Sequence, residues 1–151
     1  MHPLLIPPFT NKTLRRAVKD YLDGGDRKKI IVEKYGEISN WDTSRVTYMN
    51  GLFHDARSFN QPLNNWDVSK VTNMRYMFDG ANSFNQPLDN WNVSNVEYMV
   101  GMFAFANSFN QPLDKWNVSK VKNMNYMFAD ATSFNRPLHA PWYVVEQSES
   151  E

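Results

Sequence analysis

The sequence predicts an α/β fold: a short right-handed solenoid of four 25-residue repeats behind a helical N-terminal cap. Three observations carry that expectation. Trp41, Trp66, Trp91 and Trp116 recur every 25 residues, and a fixed period of about 20–50 residues marks stacked supersecondary units. The residues between them recur in register, WDVSKVTNMRYMFDGANSFNQPLDN from Trp66 to Asn90 against WNVSNVEYMVGMFAFANSFNQPLDK from Trp91 to Lys115. The first 40 residues lack the repeat but show helical periodicity. The expected organisation is a single domain: a cap over 1–40, repeats over 41–65, 66–90, 91–115 and 116–140, and a C-terminal cap with an acidic tail over 141–151.

In the cap, Leu14, Val18, Tyr21 and Leu22 fall at i, i+4, i+7 and i+8, one face of a helix running from Asn11 to Leu22. Gly24 and Gly25 end that helix. Asp26 is placed to cap a second one, which carries Ile30, Ile31 and Tyr35 and stops at Gly36. A face of this second helix is expected to cover the first repeat, because a bare terminal repeat exposes apolar core and strand edge.

Within a repeat, Val71, Met74, Met77 and Phe78 sit at i, i+3, i+6 and i+7 and predict a short inward-facing helix. Phe84-Asn85-Gln86-Pro87-Leu88 alternates and predicts a strand, kept short by the proline that recurs at Pro62, Pro87, Pro112 and Pro137. One strand and one helix per repeat is the economy of a leucine-rich-repeat-like solenoid. After the last repeat Trp142 arrives one residue late, and Tyr143, Val144 and Val145 predict a closing strand. Among polar positions, Asn60, Asn85, Asn110 and Asn135 are expected to form a ladder, as are Ser58, Ser83, Ser108 and Ser133. Ser44, Ser69, Ser94 and Ser119 are expected to cap the short helices. Asp42 and Asp67 give way to Asn92 and Asn117, which avoids stacking four carboxylates.

The string W-D-V-S-x-V-T-x-M-x-x-M-F-x-x-A-x-S-F-N-Q-P-L resembles the 25-residue repeat of the BspA-like leucine-rich-repeat group, typified by mycoplasma-type lipoproteins of unknown function. KKIIVEKYGEISNWDTSRVTYM, Lys28 to Met49, resembles the segment that introduces the first repeat in that family. The resemblance spans about Lys28 to Leu138. It implies a repeat protein used for adhesion or protein interaction, often on a cell surface, with no catalytic residues to carry over. Similar repeats occur in proteins of large DNA viruses and protists, which implies an intracellular or virion setting as the other option.

Composition narrows the function classes. The net charge is zero, so no global field favours nucleic acid or an anionic membrane, although residues 1–40 carry eight Lys/Arg against five Asp/Glu. There is no cysteine, hence no thiolate chemistry. No stretch reaches the ~18 apolar residues of a membrane span, and the opening MHPLLIPPF is a poor signal peptide. The expected setting is therefore cytoplasmic or virion-associated, with surface display left open. No enzyme, cofactor or metal site is expected. His2, His54 and His139 are not spaced as a ligand pair, and neither a phosphate loop nor a nucleophile elbow is present.

Binding is sought where the repeats differ. Arg45, Lys70, Asn95 and Lys120 form a partly basic column, which makes Arg45, Lys70 and Lys120 candidate contacts for an unknown protein partner. Tyrosine alternates: repeats one and three read Tyr-x-x-Gly (Tyr48/Gly51, Tyr98/Gly101), while two and four read Asn-x-x-Tyr (Asn73/Tyr76, Asn123/Tyr126). Two readings stay open, tyrosine-into-glycine packing or an exposed aromatic checkerboard. Phe105 stands where other repeats have Asp55, Gly80 and Asp130, which predicts an exposed ring. The function expected is a non-enzymatic protein–protein interaction module. The alternatives are a structural, virion or surface-assembly component that self-associates through its ends, and a glycan-binding adhesin.

Overall fold

The computed structural model describes residues 6–144. Two helices open it, α1 (Asn11–Asp23) and α2 (Gly25–Tyr35). A reciprocal capping box starts α1: the Thr13 amide donates to Thr10 Oγ1 at 3.1 Å and the Thr10 amide to Thr13 Oγ1 at 2.8 Å. Leu14, Ala17, Val18 and Tyr21 are its buried face, while Leu22 is exposed. Gly24, at a φ of 72°, joins the helices and is itself the N-cap of α2. Asp26 therefore sits in the first helical turn, where its charge favours the helix dipole without capping. A 3₁₀ turn, Ile38–Asn40, leads into Trp41, and α3 (Arg136–His139) closes the last repeat.

The expected α/β leucine-rich-repeat solenoid is not what forms. Among the described residues there is no strand, and 41–135 consists of turns and linkers without a helix. Isolated parallel bridges, Tyr48–Asn73, Asn73–Tyr98 and Tyr98–Asn123, are the β pairing present. The helix expected over Val71–Phe78 is broken by Tyr76, whose φ of 57° is left-handed. Its apolar spacing of three comes instead from consecutive three-residue turns, Met77 N–H to Met74 O and Ala81 N–H to Phe78 O. The strand expected over Phe84–Leu88 fails because Pro87 has no N–H, and the Asn85 amide donates to the Asn60 side chain at 2.8 Å. The same apolar residues are buried as expected: Val71, Met74, Met77, Phe78, Phe84 and Leu88 all lie in the core.

What stacks is a tier of turns, one per repeat, numbered 1 to 4 from 41–65 to 116–140. Alternate amides of each turn segment donate to the next tier. The Met49, Met74 and Met99 amides donate to Asn73, Tyr98 and Asn123 carbonyls, each at 2.9 Å. Parallel columns run from Gly51 to Arg75, Tyr76 to Val100 and Gly101 to Asn125, and likewise through Phe53, Phe78 and Phe103. These peptide units all point the same way, so their dipoles add along the stack with carbonyls at the α1 end.

Side chains complete the tiers. Phe53, Phe78, Phe103 and Phe128 stack with centroids 5.5, 5.4 and 5.6 Å apart. Each also packs on the second phenylalanine of its own tier, as Phe78 does on Phe84 at 4.4 Å. Tryptophan Nε1–H groups reach back a tier: Trp66 donates to Ile38 O, Trp91 to Leu63 O, Trp116 to Leu88 O and Trp142 to Leu113 O, at 2.7–3.0 Å. Trp142 thus joins the column despite its extra residue.

Both cap helices meet tier 1: Tyr35 at the end of α2 packs against Trp41, ring centroids 6.2 Å apart, and α1 adds polar contacts. Asn11 Oδ1 accepts from the Thr47 amide at 2.8 Å, standing in for the carbonyl that Thr47 gives Thr72 one tier on. Arg15 donates to Asn50 O at 2.8 Å, placing a cation on the carbonyl end of the stacked dipoles. Tyr21 meets Trp41 and Phe59 edge-on. At the other end Tyr143 and Val144 form no strand; Tyr143 packs edge-on against Phe128. Val145 and the acidic segment from Glu146 to Glu151 lie outside the described residues.

Polar ladders also differ in detail. The asparagine ladder forms through backbone amides, Asn85 to Asn60 Oδ1, Asn110 to Asn85 Oδ1 and Asn135 to Asn110 Oδ1. No side-chain bond joins Ser58, Ser83, Ser108 and Ser133 among the described residues. With no helix to cap, Ser44 and Ser69 are donors: each gives its amide and hydroxyl to Asp42 or Asp67, the hydroxyl at 2.6 Å. Those hydrogen bonds hold both carboxyls below their ordinary range.

Candidate functional site

Each tier needs two left-handed residues to make its consecutive turns, at equivalent positions through the stack. The first column is Gly51, Tyr76, Gly101 and Tyr126, at φ of 57–62°. The second is Asp55, Gly80, Phe105 and Asp130, at 55–76°. Glycine occupies such a backbone freely; for another L-residue it costs about 1–2 kcal/mol. Tyr76, Phe105 and Tyr126 are bulky aromatics in that conformation, and each is about half exposed, 45%, 52% and 48% respectively.

At one pair the tyrosine alternation has a direct steric cause. A Cβ on Gly101 would lie 2.5 Å from Cδ1 and Cε1 of Tyr76, so the ring rests on the glycine of the next tier. The Asp55 carboxylate leans onto Gly80 in the same manner in the second column. At Tyr76, packing and exposure therefore coexist: one part of the ring covers Gly101 and the rest faces outward. Tyr48 is also exposed, whereas Tyr98 is half-buried beneath the Arg75 guanidinium, 4.0 Å from its ring centroid. Tyr48, Tyr76, Tyr98, Phe105 and Tyr126 all belong to the turn segments, which stack as one face.

The basic column is not a continuous cationic strip. Lys120 donates to Asn95 Oδ1 at 3.0 Å, and Asn95 donates in turn to Ser69 O at 2.8 Å. Arg45 and Lys70 are exposed beyond them. The neighbouring variable column closes on itself through a 2.8 Å ion pair between Lys122 and Glu97, which lowers the glutamate and raises the lysine.

A groove of about 570 Å³ that repeat comparison did not single out lies beside Gly51, where the tyrosine of the next tier has no counterpart. Asn73, Arg75, Tyr76, His54 and Asp79 line it. His54 Nε2 stands 3.5 Å from Asp79 Oδ2 and 3.7 Å from Asp55 Oδ2. Burial pushes the Asp79 carboxyl above its ordinary range, against the pull of His54. The sequence signal was the lone histidine at a position held by Asp79, Ala104 and Ala129 elsewhere, next to a glycine facing a tyrosine. No three His, Cys, Asp or Glu side chains converge on a metal-sized site among the described residues. The face instead presents aromatic rings, an oriented guanidinium and a partly buried carboxylate.

Residues 28–147 match the family model described as Mycoplasma protein of unknown function, DUF285. The chain belongs to this family. The match begins inside α2 and runs through all four tiers, so α1 precedes the DUF285 span. Neither a curated protein nor a solved structure matches the chain. Among the described residues, no helix of this DUF285 member is long and apolar enough to cross a membrane.

Proposed function

We propose that the protein is a non-enzymatic protein–protein interaction module whose contact face is the stacked turn segments. One observation carries the reading: Tyr76, Phe105 and Tyr126 are half-exposed aromatics on a backbone that favours glycine. A ring on a fixed, hydrogen-bonded turn loses little conformational freedom on binding, and aromatic anchors dominate interface energetics. Their rigid spacing along the stack supplies geometric selectivity for a protein surface. Tyr48 and the Arg75–Tyr98 pair extend the same face.

The test exploits the backbone. Tyr76→Gly, Phe105→Gly and Tyr126→Gly remove the rings while relieving left-handed strain. The purified chain and the triple variant are immobilised in parallel, with Lys28→Ala on the cap as control, and captured proteins are identified by mass spectrometry. A protein retained by wild type and control but lost from the triple variant supports the assignment. Identical captured sets reject it.

A second reading, assembly through the ends, draws on tier 4. There the Met124, Phe128 and Asp130 amides, whose counterparts in tier 3 donate onward, have no backbone partner among the described residues. Such an edge leaves backbone groups open to another chain, a second copy included. Light scattering across a concentration series tests it; a monomer at all concentrations counts against assembly.

A further inference from the structure

We propose that the groove between α1 and α2 is a second binding site, selective for an acidic peptide segment carrying one apolar side chain. The groove encloses about 700 Å³, within the range that takes a few residues of a ligand. Its floor is apolar, formed by Ala17, Ile31 and Tyr35. Its walls carry Lys12, Arg15, Arg16, Lys19 and Lys34, and no carboxylate lines it.

The cations divide by what already holds them. Arg15 is committed to Asn50 O, and Lys19 pairs with Asp23 at 3.1 Å. Lys12, Arg16 and Lys34 make no ion pair among the described residues; Lys34 lies over the Tyr35 ring, 5.1 Å from its centroid. Lys12, Arg16 and Lys19 follow one another at i, i+4 and i+7, which puts them along one side of α1. The uncommitted charges thus flank an apolar strip, the arrangement complementary to an acid–apolar–acid segment.

Charge complementarity also selects the class of partner. The hairpin's own carboxylates, Asp20, Asp23, Asp26, Glu33 and Glu37, do not line the groove. They interrupt the cationic character of the cap as a whole, so a short acidic segment matches the groove better than a long polyanion. This disfavours nucleic acid and an extended anionic membrane surface, both of which need a continuous cationic field. The groove is lined by residues other than those of the aromatic turn face.

The experiment measures fluorescence anisotropy of the full chain with a labelled Glu-Glu-Leu-Glu-Glu peptide. Gln-Gln-Leu-Gln-Gln, a single-stranded oligonucleotide and phosphatidylserine vesicles are run beside it. The expected result is saturable binding of the acidic peptide alone, weakened at least about tenfold by Lys12→Glu, Arg16→Glu or Lys34→Glu. Lys12→Gln and Arg16→Gln weaken it less, and added salt weakens it further. The glycine triple variant of the turn face leaves it unchanged, which separates failure of this site from failure of the interaction face. An unchanged thermal midpoint in each cap variant establishes that the fold survives. Absence of saturable binding, equal binding of the glutamine peptide, tighter binding of oligonucleotide or vesicles, or indifference to all the charge variants overturns the proposal.

Discussion

The ring of Tyr76 occupies the space that a Cβ on Gly101 would need, 2.5 Å from where that atom would stand. These two tiers are thereby matched by size as well as by hydrogen bonds: the left-handed Tyr76 in one calls for glycine at 101 in the next. The first test follows from this pair. Gly101→Ala combines a steric clash with a φ of 61°, and should cost about 2–3 kcal/mol in urea unfolding. Gly51→Ala meets only His54 Cβ at 4.0 Å, so it should cost about 1 kcal/mol less. Adding Tyr76→Gly to Gly101→Ala should recover much of the difference, a coupling measured by a double-mutant cycle. Equal costs at the two glycines would show that the ring yields freely.

Trp91 separates burial from hydrogen bonding. Trp91→Ala should cost about 3–5 kcal/mol through lost burial and a cavity. Trp91→Phe keeps an aromatic body but strips Leu63 O of its 2.8 Å donor in a buried setting, at about 1–3 kcal/mol. Chemical denaturation orders the two, and an unchanged midpoint for either contradicts the buried tryptophan column.

Asn11 is the acceptor that a preceding tier would otherwise supply. Asn11→Ala should therefore fray tier 1 locally. Amide hydrogen exchange should quicken at Thr47 and Tyr48, which donate to its Oδ1, while the Met99 amide deep in the stack stays protected. Uniform acceleration would instead mean that the cap and all tiers unfold together.

Acid sensitivity should have two opposing parts. Asp42 and Asp67 are held below 3.8 by their serines, so their stabilisation is present above that value and is lost as pH falls through the folded-state pKa. Asp67→Asn, the residue tiers 3 and 4 already use, should flatten the acid limb of a melting-temperature profile. Asp79 is raised by burial, so it weakens the fold as pH rises from 3.8 through its folded-state value and the carboxylate ionises. Asp79→Asn should remove that loss near neutrality. Opposite slopes for the two variants check the assignment; parallel ones reject it.

The 25-residue period, the tryptophan column and the buried set of Val71, Met74, Met77, Phe78, Phe84 and Leu88 were all legible in the sequence, because each depends on composition repeating in register. The alternation of Tyr with Gly was legible as a pattern, and Phe105 as an exposed ring. The secondary structure was not. Apolar residues three apart fit a helix and a run of three-residue turns equally well, and the sign of φ at Tyr76 or Phe105 leaves no trace in residue type when the residue is aromatic.

The chain by itself determined what is stacked and which side chains are inside, since burial follows from apolar residues that recur tier after tier. Only the tertiary structure decided how the backbone achieves it. Each amide of a turn must bond either within its own tier or to a neighbouring one. That division, with left-handed residues at two positions per tier, is settled by neighbours 25 residues away. The same non-local accounting gave α1 its polar capping role, since Asn11 and Arg15 reach the Thr47 amide and the Asn50 carbonyl that tier 1 leaves open.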